Sequence, residues 1–354
     1  MNKRRKQWRN ANLLKAGTAF FLLVLIFGGI TAASYLIKHN RRTVPDKAVS
    51  DSFVVRTDSL SDISGTTTEH AGKTAVPFVI FPEKTDKSKE FTRDYDAKNA
   101  ILINVADSEV IAYRNEHIKL YPASLTKIMT LIVAVENIDD LSATVQITYD
   151  MVAPYIALDA SRAGFEPDET PSLKDVLYGM ILCSGADASL AAAEYVAGSE
   201  DAFVMLMNDK CREIGLNNTH FTNVVGFHDK DNYSTAEDIA VMLEYAIKDP
   251  VCREILSAVE YKVPPTKQNP EGLVFESTLF SRMYGDEMPN VKVIGGKTGF
   301  TDEAGNCIAS FAEINGKIYI LVLCGGKTNW NNVYNTLSAY SVYCAGGKAY
   351  IPPE

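Results

Sequence analysis

The sequence lacks the residue patterns that hold metal ions and nucleotides. Its five histidines form no HExxH motif or other close ligand cluster, which disfavours a zinc peptidase. The phosphate-binding pattern GxxxxGK[ST] is also absent, because both Gly-Gly-Lys-Thr stretches have an apolar residue where the first glycine belongs. No internal repeat with a period of about 20–50 residues is visible, so a solenoid or a propeller is excluded.

The cysteines are few and widely spaced, and no CxxC pair occurs among them. Disulfides would be possible outside the cell, but the sequence cannot choose among the pairings that six cysteines allow. A domain of this size does not need covalent cross-links. We therefore interpret the cysteines mainly as small buried residues. They are Cys183, Cys211, Cys252, Cys307, Cys324 and Cys344.

Acidic residues are missing from one part of the chain only. Residues 1–42 carry nine Lys and Arg but no Asp or Glu. The other 312 residues carry 26 of the 35 basic side chains against all 44 acidic ones, a net charge of −18. A body this acidic is a poor candidate for binding phosphates, so we expect no nucleic-acid partner.

The basic N-terminal segment is typical of a membrane anchor. Six basic residues precede the uncharged run 16–37, which is 22 residues long and rich in Phe, Leu, Val and Ile. A spanning helix needs about 20 apolar residues, whereas a cleavable signal peptide has an apolar core of about 7–15. The length favours a retained anchor, although the small residues Ala32, Ala33 and Ser34 keep cleavage open. Because only three basic residues follow the run, we expect the N-terminus in the cytoplasm and the body outside the cell.

Composition divides the chain into four parts. We assign residues 1–15 to a cytoplasmic basic tail, 16–37 to the transmembrane signal-anchor, 38–90 to a polar extracellular linker and 91–354 to one catalytic domain. Much of the linker is rich in Ser, Thr, Asp and Gly, and such sequence cannot bury enough apolar surface to offset its ordering entropy. We place the start of the folded body near Phe91.

Strands from both ends of the folded body are predicted to bracket a helical insertion. Early strands at 100–106 and 109–113 surround a turn, and late strands at 307–313 and 317–323 flank an Asn-Gly hairpin signal. Between them, apolar residues recur at helical spacing. The helices are predicted at 124–137, 173–182, 187–197 and 200–214. The pattern indicates an α+β fold, with one antiparallel sheet from both chain ends, covered by helices and accompanied by a helical lobe.

One short motif offers a nucleophile and its base. Ser124 is the only serine with a lysine three residues later, Lys127. Residues i and i+3 share a helix face, so the Lys127 amine can reach the Ser124 hydroxyl and accept its proton if the amine pKa is lowered. About one SxxK is expected by chance in a chain this long. Taken alone, the motif also fits a capping serine beside a solvated lysine.

Two further stretches could line the same site. Lys297-Thr298-Gly299 offers an ammonium and a hydroxyl for a substrate carboxylate, and its glycine lets substrate backbone approach. Ser184 lies at the junction of two predicted helices, where a hydroxyl could relay a proton. Without a function, the first stretch would be a glycine-rich turn with a surface lysine. The second would be a helix-breaking Ser-Gly turn.

The three motifs together resemble those of the penicillin-binding proteins and serine β-lactamases. A Ser-Gly element follows SxxK after 60 residues, and KTG follows 113 residues later. The sequence is most similar to the low-molecular-mass D-alanyl-D-alanine carboxypeptidases, the S11 serine peptidases, over roughly residues 91–345. The closer likeness lies in residues 121–130 (YPASLTKIMT), 223–227 (NVVGF) and 233–240 (YSTAEDIA). It implies the serine β-lactamase and penicillin-binding-protein fold.

The resemblance also implies a substrate and a reaction. The partner would be a peptidoglycan stem peptide ending in D-Ala-D-Ala, and β-lactams would be covalent inhibitors. Ser124 would attack the penultimate D-Ala carbonyl, Lys127 would accept the serine proton, and Ser184 would help to protonate the departing amine. Water would then hydrolyse the acyl-enzyme. No metal or organic cofactor would be required.

Substrate-binding roles follow from the same resemblance. Lys297 and Thr298 would hold the terminal carboxylate of the peptide. The backbone N–H groups of Ser124 and Phe300 would form the oxyanion hole beside Gly299. The N-terminal helix would hold the enzyme at the bacterial cell membrane as a single-pass protein with its catalytic domain outside. Because residues 91–354 are assigned to the catalytic domain, we expect the N-terminal helix to replace the amphipathic anchor that follows an extra β-domain in many relatives.

Ala186 departs from the family pattern, in which the second motif is normally Ser-x-Asn. Because nucleophile, base and carboxylate site remain, we expect reduced or altered peptidase activity rather than none. A serine β-lactamase remains an alternative, although Glu166 lacks the surrounding motif of a deacylating base. A weakened penicillin-binding or wall-sensing protein is the second alternative, motivated by Ala186.

Overall fold

The computed structural model describes residues 79–283 and 288–352. Its strands are β1 (Glu83–Glu90), β2 (Asn99–Asn104), β3 (Glu109–Arg114), β4 (Glu260–Val263), β5 (Leu273–Glu276), β6 (Lys292–Thr301), β7 (Gly305–Ile314) and β8 (Lys317–Gly326). Its α-helices are α1 (Thr126–Asn137), α2 (Tyr149–Ala157), α3 (Leu173–Leu182), α4 (Ala186–Ala197), α5 (Glu200–Ile214), α6 (Ala236–Lys248), α7 (Pro250–Ser257), α8 (Phe280–Met283) and α9 (Asn329–Ala339). A 3₁₀ turn, Ala123–Leu125, precedes α1, and a π-helical turn, Tyr340–Cys344, follows α9.

Strands from both ends of the described chain form one six-stranded sheet, in the order β1-β3-β2-β8-β7-β6. The joint is the antiparallel pairing of β2 with β8, which runs from Asn99 opposite Cys324 to Asn104 opposite Tyr319. The helices α1 to α7 lie between β3 and β6 in the chain. The predicted α+β fold, with sheet strands bracketing a helical insertion, is confirmed.

One edge of the sheet contradicts the prediction that all pairings are antiparallel. β1 pairs in parallel with β3, whereas β2 pairs with β3 antiparallel on the other side. β1 and β2 follow each other in the chain but are not neighbours in the sheet, because β3 lies between them. The sheet is therefore mixed at this edge.

The first strand also begins earlier than the folded body was predicted to begin. β1 lies within 38–90, the segment assigned to the polar linker, and begins eight residues before Phe91. Its sequence, EKTDKSKE, is almost wholly charged and exposed. An edge strand needs only backbone pairing and often carries charged residues, so composition was a poor guide here. The predicted tail and anchor, 1–15 and 16–37, lie outside the described residues.

Both faces of the sheet are buried. On β2, Ile101 and Ile103 face the core shared with the helical insertion, whereas Ala100 and Leu102 face a second core under α9. Successive side chains of a strand point to opposite faces, so the strands that are covered on both sides are apolar throughout. The core on the first side holds α1 at its centre.

The helix α1 is deeply buried in this core along its first nine residues. Every residue from Thr126 to Ala134 is buried, although the run includes a lysine. A helix surrounded on all sides is apolar all round, which explains why its sequence shows no solvent-facing polar stripe over these turns. Ser124 lies in the 3₁₀ turn that leads into α1.

Local signals at the helix ends explain the accuracy of several predicted helices. Ser172 and Asp175 form a capping box at the start of α3. Gly198 and Gly215 end α4 and α5 in the left-handed conformation. The predicted bounds 173–182 and 200–214 are therefore confirmed.

All six cysteines lie within the described residues and are free thiols, four of them buried. They act as small buried or half-buried residues, as the sequence analysis favoured. Among the helices in 79–283 and 288–352, none is both long and apolar enough to cross a membrane. The predicted span at 16–37 is not part of that region.

Replacing Gly296, the residue before the KTG motif, tests how closely β6 approaches β7. A Cβ on Gly296, which has φ +152°, would lie 2.2 Å from the Ala309 carbonyl oxygen. We expect Gly296→Ala to reduce the free energy of unfolding by at least about 3 kcal/mol. The matched control is Gly316→Ala at the hairpin tip, where φ is +76° and no heavy atom lies within 4 Å. It should cost only about 1–2 kcal/mol. Denaturant unfolding measures both, and equal losses would contradict the argument.

Candidate active site

Ser124 and Lys127 are in direct contact at the start of α1. The Lys127 Nζ lies 3.2 Å from the Ser124 Oγ, within hydrogen-bond distance. The same amine donates to the Val225 carbonyl oxygen at 2.7 Å. The 3₁₀ turn followed by the helix brings the two side chains to one face, as the i, i+3 spacing predicted. A nucleophile and a base candidate therefore lie together in a closed environment.

Burial gives the Lys127 amine an unusual acidity. The side chain is 2% exposed, and this desolvation lowers its pKa to about 7, while the Asp187 carboxylate opposes the shift. An ammonium loses hydration when buried, so its neutral form is favoured. Near neutral pH, a large fraction of the amine is free to accept a proton from Ser124.

A loop organised by Asn223 holds the carbonyl that contacts Lys127. The Asn223 Oδ1 accepts hydrogen bonds from the N–H groups of Val225, Gly226 and Phe227, at 3.3, 2.7 and 3.0 Å. Its Nδ2 donates to the Phe227 carbonyl at 3.1 Å. One side chain thus replaces the backbone partners that this turn lacks. The segment 223–227, singled out by its family likeness, fixes the Lys127 amine.

The segment 233–240 pairs with the stretch of chain that leads into the Ser124 turn. Ser234 and Leu120 exchange two backbone hydrogen bonds, at 2.9 and 3.0 Å. Thr235 caps α6 by accepting from the Asp238 N–H at 3.1 Å. The role of this segment is structural, because it fixes the chain four residues before Ser124.

The KTG motif lies on β6, against the turn that carries Ser124. A Cβ on Gly299 would lie 2.9 Å from the Ser124 backbone nitrogen and 3.2 Å from the Ala123 Cβ. Only glycine lets the strand approach this closely. The Thr298 hydroxyl is buried and hydrogen-bonded to the Thr278 hydroxyl at 2.8 Å. The Phe300 side chain is 59% exposed, at the open end of the strand.

Lys297 brings a second buried amine to the site. It is 1% exposed, and its Nζ donates to the Thr298 carbonyl oxygen at 2.8 Å. Burial first, and then the neighbouring cations Lys127 and Arg282, hold its pKa well below the usual range. No carboxylate among the described residues forms an ion pair with it. A bound anion would restore its charged form.

Ser184 lies in a segment whose residues interact electrostatically with both lysines. It is buried in the left-handed conformation, with φ +58°, which is rare for serine and common at functional sites. Its neighbours interact electrostatically with both amines, Cys183 with Lys297 and Asp187 with Lys127. Within the part of the chain that the structure describes, the Ser184 hydroxyl makes no hydrogen bond. It is therefore available to an incoming group.

Ala186 and Asp187 anchor the start of α4 to the segment 161–164. The Ala186 N–H donates to the Ser161 carbonyl oxygen at 2.9 Å. The fully buried Asp187 carboxylate accepts from the N–H groups of Ala163 and Gly164, at 2.8 and 3.1 Å. The methyl group of Ala186 offers no polar contact to Lys127. The electrostatic partner of the lysine on this side is Asp187.

The structure thus brings the SxxK, KTG and Ser-Gly motifs to one place. The sequence analysis missed three contributors: the Val225 carbonyl, the Asp187 carboxylate and the cationic Arg282. A backbone carbonyl leaves no residue-type signal. The sequence analysis assigned no role to Asp187 beside the Ser-Gly element, and nothing near Arg282 indicated one either. Among the described residues, no group of three or more His, Cys, Asp and Glu could hold a metal ion.

This arrangement on a mixed sheet defines a penicillin-binding-protein-like fold. The crystal structure of the Streptomyces K15 DD-transpeptidase is similar, with a TM-score of 0.63 and 25% identity, over 68% of this chain and 94% of that chain. A D-alanyl-D-alanine carboxypeptidase structure from Mycobacterium tuberculosis shares the fold, with a TM-score of 0.60 and 23% identity, over 75% of this chain and 92% of that one.

A family model described as D-alanyl-D-alanine carboxypeptidase matches residues 84–328. The chain therefore belongs to this family, the S11 peptidases. It is 31% identical to D-alanyl-D-alanine carboxypeptidase DacF of Bacillus subtilis, over 69% of this chain and 61% of the relative. It is 35% identical to DacC of Escherichia coli, over 66% of this chain and 58% of the relative. The chain thus spans about three fifths of the length of these two curated relatives.

The Asn223 loop yields a prediction about stability. Asn223→Ala removes the acceptor of three backbone N–H groups, so we expect the free energy of unfolding to fall by about 2–4 kcal/mol. The control is Asn217→Ala, an exposed asparagine in a nearby loop, which should change stability by no more than about 0.5 kcal/mol. Urea unfolding of both variants decides the matter. If Asn223→Ala lowered the free energy of unfolding no more than Asn217→Ala does, the loop would not depend on Asn223.

Proposed function

We propose that the chain is a serine-type D-Ala-D-Ala carboxypeptidase that removes the terminal D-Ala from peptidoglycan stem peptides. The observation that carries the proposal is the contact between Ser124 and a buried Lys127 with a pKa of about 7. The Lys127 amine accepts the Ser124 proton, and the serine oxygen attacks the penultimate D-Ala carbonyl. The resulting acyl-enzyme is hydrolysed by water.

Lys297 and Thr298 hold the terminal carboxylate of the substrate. A buried lysine without a carboxylate partner is costly to keep charged, and the substrate supplies the missing counter-charge. Binding of the peptide therefore raises the Lys297 pKa and couples to uptake of a proton. The need of Lys297 for a counter-charge favours peptides with a free C-terminal carboxylate, which is the specificity of a carboxypeptidase.

The remaining site residues act on the developing charges. The N–H groups of Ser124 and Phe300 bind the oxyanion, with Gly299 keeping β6 close to the Ser124 amide. Each oxyanion donor is worth about 3–4 kcal/mol in the transition state. The Ser184 hydroxyl, which has no partner among the described residues, helps to pass a proton to the departing D-Ala amine.

We expect β-lactams to acylate Ser124, and we expect the resulting acyl-enzyme to hydrolyse slowly. Glu166, the only candidate for a second base noted in the sequence, is exposed. Only the Glu166 backbone is tied down: its N–H donates to the Glu169 carboxylate, and its carbonyl oxygen accepts from the Glu169 N–H. This supports a peptidase over a β-lactamase. Ala186 leaves Lys127 without a side-chain amide, and for this reason we expect a slower reaction than in enzymes with Ser-x-Asn.

The predicted anchor fits this function. A helix at 16–37 would hold the enzyme at the bacterial cell membrane, and the acidic body would reach peptidoglycan outside the cell through the linker. This part of the proposal rests on the basic-residue asymmetry and the length of the apolar run.

The decisive experiment compares wild type with Ser124→Ala, using mass spectrometry after penicillin treatment and D-Ala release from a pentapeptide. We expect a covalent penicillin adduct and D-Ala release in wild type only. Fast nitrocefin turnover in place of a lasting adduct would favour a β-lactamase. Wild-type protein that neither releases D-Ala nor binds penicillin would overturn the enzyme assignment and favour a sensing role.

The lowered Lys127 pKa predicts the pH dependence of acylation. Below its pKa of about 7 the amine is protonated and cannot accept the serine proton, so the second-order acylation rate should rise about tenfold per pH unit and level off above about 7. An unperturbed lysine would place the plateau above about pH 10. Stopped-flow labelling with fluorescent penicillin between pH 5 and 10 measures the profile. Lys127→Arg, which cannot deprotonate, should lose the reaction across that range.

A further inference from the structure

The Thr298 hydroxyl of the KTG motif is hydrogen-bonded to the hydroxyl of Thr278. The two oxygen atoms lie 2.8 Å apart, and either can be the donor. Thr298 is 7% exposed, so its hydroxyl meets little solvent and depends on partners within the protein. Thr278 belongs to none of the three motifs that the sequence analysis singled out, and the proposed reaction gives it no role.

Thr278 lies between β5 and α8, in a segment that runs against the end of α3. Its N–H donates to the carbonyl oxygen of Leu182 at 3.1 Å. Leu182 is the last residue of α3 and precedes Ser184 by two positions. The neighbouring Ser277 N–H donates to the Val259 carbonyl oxygen at 2.9 Å. Two consecutive N–H groups thus hold this part of the backbone, and neither bond needs the Thr278 hydroxyl.

The direction of the bond between the two hydroxyls depends on what Thr298 binds. A hydroxyl donates one hydrogen bond, and an ionised carboxylate only accepts. When Thr298 donates to a carboxylate, its oxygen can only accept from Thr278, so the Thr278 O–H points to Thr298. Such a chain of hydroxyls polarises the outer O–H and strengthens its bond to an anion.

We propose that Thr278 is a positioning residue for the substrate carboxylate, because its hydroxyl holds the Thr298 hydroxyl in the orientation that donates to the C-terminal carboxylate of the peptide. The inference rests on the proposed function, in which Lys297 and Thr298 bind that carboxylate. Lys297 supplies the charge, and the two threonines supply the direction. Since the Thr278 backbone is bonded to the end of α3, it also orients this hydroxyl relative to the segment that carries Ser184.

Loss of the Thr278 hydroxyl would free the Thr298 hydroxyl to turn. A threonine hydroxyl without its partner tends to bond a nearby backbone carbonyl, and its side chain has more than one accessible rotamer. Either change would aim the Thr298 O–H away from the carboxylate. The contact between Ser124 and Lys127 would remain as it is. We therefore expect weaker substrate binding with an unchanged chemical step.

Thr278→Val tests this expectation in the full-length protein, because valine keeps the shape of threonine but lacks its hydroxyl. For acetyl-lysyl-D-Ala-D-Ala, we expect KM to rise about tenfold and kcat to stay within about twofold of wild type. Thr278→Ser keeps the hydroxyl and should bring KM back to within about threefold. A lower kcat with unchanged KM, or an equal loss in Thr278→Ser, would overturn the positioning role.

The matched control is Thr336→Val, which makes the same chemical change in α9. The Thr336 hydroxyl is fully buried and donates to the Asn332 carbonyl oxygen at 2.7 Å. This variant should change neither KM nor kcat. A rise in KM as large as that of Thr278→Val would mean that any lost buried hydroxyl has this effect, and it would overturn the proposal. Urea unfolding shows that each variant is folded under the assay conditions.

A double-mutant cycle tests whether Thr278 acts through Thr298. Thr298→Val should itself raise KM, and Thr278→Val added to it should have little further effect, because no hydroxyl is left to orient. The cycle should therefore be strongly non-additive. Additive losses in the double variant would mean that Thr278 affects binding independently of Thr298, and the positioning role would be wrong.

Binding to the inactive Ser124→Ala variant separates this proposal from the proposed function. Calorimetry compares acetyl-lysyl-D-Ala-D-Ala with the same peptide ending in an amide. Added Thr278→Val should weaken binding of the acid about tenfold and leave that of the amide unchanged. This selective loss without D-Ala release by wild type would sink the carboxypeptidase and keep the positioning role. D-Ala release by wild type, with the acid bound equally in both backgrounds, would sink the positioning role and keep the carboxypeptidase.

Discussion

A lysine amine buried inside the protein is the constraint on which the site depends. Lys127 is 2% exposed on the central helix α1, so its charged form is penalised and its pKa falls to about 7. The cost of burying this group is limited by two contacts, with the Ser124 hydroxyl and the Val225 carbonyl. The same contacts hold the amine against the Ser124 hydroxyl. Burial, positioning and basicity are therefore consequences of one packing arrangement.

The surroundings of α1 serve to maintain that arrangement. The Asn223 side chain holds the loop that offers the Val225 carbonyl, and Asp187 holds the segment 161–164 while it opposes the loss of charge on Lys127. On the open side, Gly299 lets β6 approach the Ser124 amide more closely than any side chain would permit. The nearby Lys127 and Arg282 cations add to the effect of burial and keep the Lys297 pKa well below its usual range.

Local sequence signals and long-range pairing differ in how well they could be predicted. The bounds of α3 and α5 could be read from their caps, and the β7–β8 hairpin from its Asn-Gly turn, because these signals act within a few residues. β1 was missed because its stability comes from pairing with β3, about 26 residues away in sequence, and its charged residues resemble a linker. The SxxK contact was predicted because it depends only on helical spacing.

Sequence by itself determined the chemistry that the chain can offer: a serine with a lysine at i+3, a KTG strand and an Ala186 in place of an expected Asn. It also determined the family, since the order and spacing of these motifs are jointly specific. Only the tertiary structure decided that Lys127 and Lys297 are both buried, and that Val225, Asp187 and Arg282 lie close to them. These properties depend on desolvation and on contacts between distant segments. No local pattern of residues encodes how much water a side chain will lose.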